Sequence, residues 1–287
     1  MKAIKLLFGL FAAALVIGNA RAETKTNAPL CVMTYNLRYA SPTGTNAWPD
    51  RRPLVKETIL SITPDLIGTQ EGLHRQLLDV AEDLPGYQWT GIGRNDGKLA
   101  SEFMAVFYRT NRLQPLATNH FWLSDTPEVP GSTTWGNKVR RMVTWLKFRD
   151  LVTGREFYFF DTHFDHEVQV AREKSAELVR KRIAELDPQL PVLLVGDFNA
   201  PAGRNRAFDI LVKDGFLSDS WSAAKERKND GVNSYNGFAK PLWNGQRIDW
   251  ILTRGDIRVD RSEIVMFERN GKYPSDHFPV VAWLWLP

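Results

Sequence analysis

Cysteine is almost missing: among 287 residues there is one, Cys31. No disulfide can form within the chain, so packing alone has to hold the fold in an oxidising compartment. Cys31 lies in the apolar "LCVMTYN" and is expected to be a small buried hydrophobe. A charge excess is missing too. Lys and Arg number 37 against 33 Asp and Glu, a formal net charge of +4. Lys2, Lys5 and Arg21 belong to the leader segment described below, which contains no acid, so the remainder carries 4 − 3 = +1. That balance gives no clustered basic footprint for nucleic acid.

Long apolar runs are scarce. "LLFGLFAAALVIG" covers 13 residues, short of the ~20 that a spanning helix needs. It follows the basic "MKAIK" and precedes "ARA", a small-x-small cleavage site ending at Ala22. Residues 1–22 therefore read as a signal peptide, and the protein as secreted or periplasmic. Repeats, low-complexity tracts and long linkers are absent, so residues 28–287 are expected to form one domain. There is no Gly-x-Ser-x-Gly elbow, no suitably placed cysteine and no two-histidine helical motif, which argues against triad and zinc chemistry. "GIGRNDG" lacks the full spacing of a phosphate loop and no helix follows it, so it reads as a turn.

What is present is a series of apolar, β-rich runs, eleven in all, from "CVMTYNL" to "HFPVVAWLWL". Most of the ten tryptophans fall in such runs, where core packing is the default explanation. Helical periodicity appears near Asp50–Ile62, Leu73–Leu84, Glu167–Leu186 and Arg204–Lys213. Strands and helices do not alternate regularly. The expectation is an α/β sandwich of two mixed sheets back to back with helices outside, rather than a Rossmann sheet or a barrel.

Several strands end alike. "VMTYN" stops at Asn36, "DLIGTQE" at Glu71, "FYFFDTH" at His163 and "VLLVGDFN" at Asp197 and Asn199. "RIDWIL" carries Asp249, and "SDH" sets Asp276 and His277 before the last strand. Period 2 aims Asp197 and Asn199 to one side and Phe198 to the other. Such endings gathered at one rim make an acidic cleft. Carboxylate and amide oxygens with two imidazoles suit a hard cation, Mg²⁺ or Mn²⁺.

"TYNLR", "TQEG", "DTHFDH", "GDFNAP", "RIDWIL" and "PSDHFPV" occur in the order seen in the endonuclease/exonuclease/phosphatase family, of DNase I-like fold, which the chain resembles from Cys31 to Trp285. "WPDRRP", "FWLSDTPEVPGSTTW" and "DTHFDH" resemble a bacterial metal-dependent hydrolase branch akin to eukaryotic deadenylase domains. The resemblance implies a four-layer α/β sandwich and metal-dependent hydrolysis of a phosphate ester by in-line water attack. Asn36 and Glu71 would hold the metal. Asp197 would orient or deprotonate water, Asn199 would donate to phosphate, and His277, held by Asp276, would bind the scissile phosphate. His163 would contact the same phosphate, with Glu102 as a partner fixing its tautomer. Asp249 would orient His163 or His277, and Arg141 would grip phosphate oxygens.

The same residues admit plainer readings. Asp249 can be a satisfied polar residue at a strand start, Glu102 a surface acid, and Asp165 a cap for the helix near Glu167. His163 and His166 are expected to diverge. Arg38 stands where many family nucleases have an acid, so a two-metal scheme is not carried over. Nucleic acid, a phospholipid head group, and a sugar or inositol phosphate all remain open as substrates. The aromatics Phe238 and Trp243 would suit either a membrane-dipping loop or a pocket wall. The protein is expected to act as a monomer, and the alternative class is a non-catalytic binding module on the same fold.

Overall fold

The computed structural model describes residues 29–287, so the expected leader, residues 1–22, lies outside it. Strands β1 (Leu30–Asn36) and β2 (Leu66–Leu73) lie parallel, joined through helix α1 (Trp48–Ile62). Helix α2 (His74–Asp83) leads to the hairpin β3 (Tyr87–Thr90) and β4 (Glu102–Arg109). The second half follows with β5 (Leu113–Trp122), β6 (Met142–Asp150) and β7 (Glu156–His163). Helix α3 (Gln169–Ala184) then crosses to β8 (Val192–Asp197), parallel to β7. The chain closes with α4 (Arg206–Val212), β9 (Ser218–Asp219), α5 (Ser220–Ala223), β10 (Glu226–Lys228), β11 (Asp249–Arg254), β12 (Arg258–Ile264) and β13 (Val280–Trp285).

These strands make two mixed sheets. One has seven strands in the order β10-β12-β13-β1-β2-β4-β3, the other six in the order β5-β6-β7-β8-β11-β9. Alternation along the strands builds the layers. In β1, Val32 joins Leu66, Leu193, Val195 and Ile251 in the cluster between the sheets. Its neighbours Cys31 and Met33 face outward, onto Val55 and Ile59 of α1 and Leu77 and Val80 of α2. In β8, Leu193 and Val195 face inward while Val192 and Leu194 meet Val179 and Ile183 of α3. Each such buried aliphatic side chain contributes roughly 1.5–3 kcal/mol. The result is the expected four-layer arrangement, helix–sheet–sheet–helix.

The four periodic segments are helices with ends shifted by a few residues. The expected start of α3 at Glu167 moves to Gln169, because Asp165 Oδ1 first takes the backbone N–H groups of Glu167 (3.0 Å) and Val168 (2.7 Å). Among the described residues no helix is long and apolar enough to cross a membrane.

Candidate active site

The strand registers bring the polar strand endings together. Parallel pairing of β7 and β8 sets His163 beside Asp197, and antiparallel pairing of β11 sets Asp249 on the other side of Asp197. Gly196 permits this closeness: a Cβ there would stand 2.2 Å from the Thr162 carbonyl oxygen of the neighbouring strand. On the facing sheet, pairing of β1 with β2 brings Asn36 beside Gln70. Glu71 follows within a register shift of the β2–β4 ladder and takes a φ of 62°. Arg38 (φ 52°) shares this left-handed backbone, which Glu and Arg seldom use, and Asn199 (φ 49°) adopts it as asparagine more readily does. Two strained residues, Arg38 and Glu71, at the ends of two paired strands beside one cleft mark a place where aim outweighs local comfort.

At the centre lies the Asp197 carboxylate, 1% exposed. Its Oδ2 accepts from Asn36 Nδ2 at 3.0 Å and stands 3.4 Å from His163 Nε2 and 3.7 Å from His277 Nε2. Burial pushes this acid up to about 7; His277 and the Asn199 and Asn36 donors oppose the shift, and Asp249 adds to it. Asn199 Nδ2 donates to the Phe164 carbonyl at 3.1 Å, which fixes the amide, so its 3.0 Å contact with His163 Nε2 makes that nitrogen an acceptor. The His163 proton therefore sits on Nδ1, a buried atom with no hydrogen-bond partner among the described residues. Burial first, then Arg141, Arg94 and His277, hold His163 well below the ordinary histidine range, so it is neutral.

His277 is its opposite. Burial alone would lower it, but Asp249, Asp197 and Asp276 raise it to about 10. Its Nδ1 lies 3.0 and 3.2 Å from the two Asp249 oxygens. The expected support from Asp276 is thus corrected: the imidazole is held by Asp249, which comes across from β11. Adjacent residues such as Asp276 and His277 point apart, and Asp276 instead lies 3.6 Å from Arg38 Nη1.

A cationic wall completes the cleft. Arg141, 3% exposed, lies 3.6 Å from Asp165 Oδ2 through Nε and 2.9 Å from His166 Nδ1 through Nη2. Its Nε makes no hydrogen bond among the described residues and faces the Asp165 carboxylate, so the buried guanidinium serves the cleft as a fixed positive charge. Glu102 is corrected as well. It pairs with Arg94, Oε1 accepting from Nη2 at 2.8 Å and Oε2 lying 2.7 Å from Nη1, and it does not fix His163. Arg94 comes from "GIGRNDG": that stretch is the expected turn, yet it delivers a second arginine to the site. No motif flags it. The expected divergence of His163 and His166 does not keep them in separate places, since both line this cleft. Tyr39 and Tyr235 are further lining residues without a sequence signal.

Of the ten expected site residues, Glu71, Glu102, Arg141, His163, Asp197, Asn199, Asp276 and His277 line one cleft of ≈ 380 Å³. Asn36 and Asp249, 0% and 1% exposed, stand directly behind it. The donor set fits a hard divalent cation. Glu71 Oε2 and Asp276 Oδ2 lie 3.7 and 3.6 Å from the same Arg38 nitrogen, so two carboxylates converge where one cation already sits. Asn36 Oδ1 accepts the Arg38 N–H at 2.9 Å and keeps a second lone pair. A second grouping, Asp197, Asp249 and His277, offers ligand atoms within 4.8 Å of one another, but its members also bond among themselves.

Two central parallel pairs meet with their polar ends across a sandwich, an arrangement that suits chemistry on a phosphoester. The chain belongs to the Endonuclease/Exonuclease/phosphatase family, whose sequence profile matches residues 33–277. It resembles a mannosyl-6-phosphatase of Bacteroides thetaiotaomicron, with 36% identity, a TM-score of 0.82, and coverage of 89% of this chain and 99% of that one. An endonuclease/exonuclease/phosphatase from Bacteroides vulgatus shares 33% identity, with a TM-score of 0.84 over 90% of this chain and 99% of its own. An uncharacterised protein of Acanthamoeba polyphaga mimivirus, L388, is 30% identical over 250 residues, 82% of this chain and 91% of that protein.

Proposed function

We propose that the chain is an exported, Mg²⁺- or Mn²⁺-dependent hydrolase that cleaves a small phosphate ester by in-line attack of water. One observation carries this reading: a single buried carboxylate, Asp197, touches an amide and two imidazoles of opposite protonation preference. Glu71, with Asn36 and Asp276 beside it, would hold the metal ion, which supplies Lewis acidity to a phosphoryl oxygen when bound. Asp197 orients the attacking water and takes its proton. His277, kept protonated by Asp249, donates to a phosphoryl oxygen from one side. Neutral His163 stands against Asp197 and Asn199 through Nε2 and positions both from the other side, and the buried Arg141 guanidinium adds a fixed positive charge. Most of the rate then comes from positioned charge and alignment.

The size of the cleft and the near-neutral chain favour a small ester over a nucleic acid duplex. The likeness to a mannosyl-6-phosphatase supports a sugar phosphate among the classes left open. The basic, apolar, small-x-small order of residues 1–22 supports export. A binding-only module would have no use for this full set of proton-handling groups.

The test is purified protein assayed on p-nitrophenyl phosphate, hexose phosphates, phospholipids and nucleic acids, with Mg²⁺, Mn²⁺ or EDTA. Asp197→Asn and His277→Ala are expected to lower kcat by about 10²–10⁴-fold with the fold retained by circular dichroism. EDTA is expected to abolish turnover. Full activity in either variant, or in EDTA, sinks the proposal.

A further inference from the structure

A second cavity, of ≈ 430 Å³, opens beside the catalytic cleft and shares Arg38, Tyr235 and Asp276 with it. Its remaining wall carries Ser41, Thr43, Thr45 and Asn46 from the loop between β1 and α1, and Gly237 and Phe238 from the far side. Hydroxyls and an amide each donate and accept, as the alternating hydroxyls of a sugar require. Tyr235, 49% exposed, sets its ring edge-on to His277 with centroids 5.1 Å apart, so an aromatic surface runs from the reacting end into the second cavity. Such a surface suits the apolar C–H face of a pyranose. Among the described residues Arg38 is the only basic side chain in the wall, and it lies against Glu71 and Asp276, which disfavours a polyanion.

The walls are held in place from beneath. Arg51, 2% exposed, donates all five of its N–H groups to backbone carbonyls: Nε to Asn46 at 2.9 Å, Nη1 to Leu37 and Pro274 at 2.8 Å, and Nη2 to Arg38 at 2.9 Å and Tyr39 at 3.1 Å. Among the described residues no carboxylate bonds to it, so the cation works as a brace for the loop rather than as an ion pair. The Phe238 ring lies 5.6 Å from the same guanidinium. The backbone N–H groups of Asn236 and Gly237 bond to the Asp276 carbonyl at 2.7 and 3.0 Å. Both walls are therefore braced to the strand ends that carry the catalytic residues.

We infer that this cavity is the leaving-group subsite and binds the hydroxylated ring of a phosphorylated sugar or polyol, with Thr45 and Asn46 among its specificity-determining residues. The inference rests on the phosphoesterase reading and adds where the sugar lies. A double variant, Thr45→Val with Asn46→Ala, changes exposed side chains and leaves the Arg51 carbonyl contacts intact, so it is expected to fold. Its kcat/KM for mannose 6-phosphate and glucose 6-phosphate should fall by about tenfold or more, while that for p-nitrophenyl phosphate stays within about twofold. Equal losses on all esters, no loss on hexose phosphates, or a larger loss on adenosine monophosphate would overturn the subsite. If the wild-type protein cleaves p-nitrophenyl phosphate with no preference for hexose phosphates, the subsite alone is overturned. If it cleaves no ester at all, the phosphoesterase reading fails, and calorimetric titration with mannose 6-phosphate then decides the subsite. Binding about tenfold weaker in the double variant supports it, and equal binding overturns it.

Discussion

His277 and His163 stand within 4 Å of the same Asp197 oxygen yet are driven to opposite protonation states. The difference lies in what stands behind each ring. His277 has the Asp249 carboxylate at 3.0 Å, whereas His163 has the cations Arg141 and Arg94 in its field and an amide on its Nε2. A proton on His277 is therefore a property of Asp249, and this is testable. Asp249→Asn removes the charge but keeps the shape, so the His277 pKa falls from about 10 toward the ordinary range. Because the protonated ring is the active form, the alkaline limb of kcat/KM should move down in pH, with kcat about 10²-fold lower or more. An unmoved alkaline limb in this variant would show that another group keeps the proton. The sequence leaves the choice open, since the family resemblance assigns Asp276 to hold His277 and Asp249 to orient His163 or His277. Adjacency favours Asp276, and only the β8–β11 register shows that Asp249 reaches the ring.

At the scale of elements, the two parallel pairs decide whether the site forms, and glycines decide whether the pairs can close. Gly196→Ala would push a methyl group to within 2.2 Å of the Thr162 carbonyl oxygen, and neither backbone can move without shifting His163 against Asp197. The expected outcome in urea denaturation is a loss of ~1–3 kcal/mol, with activity falling further than stability. Native stability in this variant would show that β7 and β8 separate more easily than their register implies. The strands around this pair were legible because one or both faces are buried and the apolar pattern survives. The misses lie where burial is weak. Gln114–Asn119 of β5 are exposed along a sheet edge and include Pro115, so only the segment around Phe121 and Trp122 reads as strand. Strands β9 and β10 have two and three residues, too few to show any period. Arg94 escaped for a related reason: a turn residue has no periodicity, and only the β3–β4 hairpin, in whose connection it lies, brings it to Glu102.

At the scale of the whole molecule, the site is a seam between the two sheets. Asn36 and Glu71 come from the seven-stranded sheet, and His163, Asp197 and Asp249 from the six-stranded one. Among the described residues two side-chain amides bridge the sheets: Asn36 Nδ2, which reaches Glu71 at 3.1 Å and Asp197 at 3.0 Å, and Gln70 Nε2, which donates to Asp161 Oδ1 at 2.7 Å. With no disulfide available, burial and such polar contacts carry the whole join. A divalent cation seated at Glu71 would neutralise acidic groups that now share one guanidinium, so binding should be read out as stability as well as turnover. Mg²⁺ or Mn²⁺ at about 100 times its dissociation constant should stabilise the fold by ~2.7 kcal/mol and raise Tm accordingly. Glu71→Gln keeps the size of the side chain and the amide contact but removes the charge, so it should fold with a similar Tm in EDTA and lose the metal-dependent rise. A rise of equal size in this variant would place the cation elsewhere, with Asp197, Asp249 and His277 as the other ligand group the geometry offers.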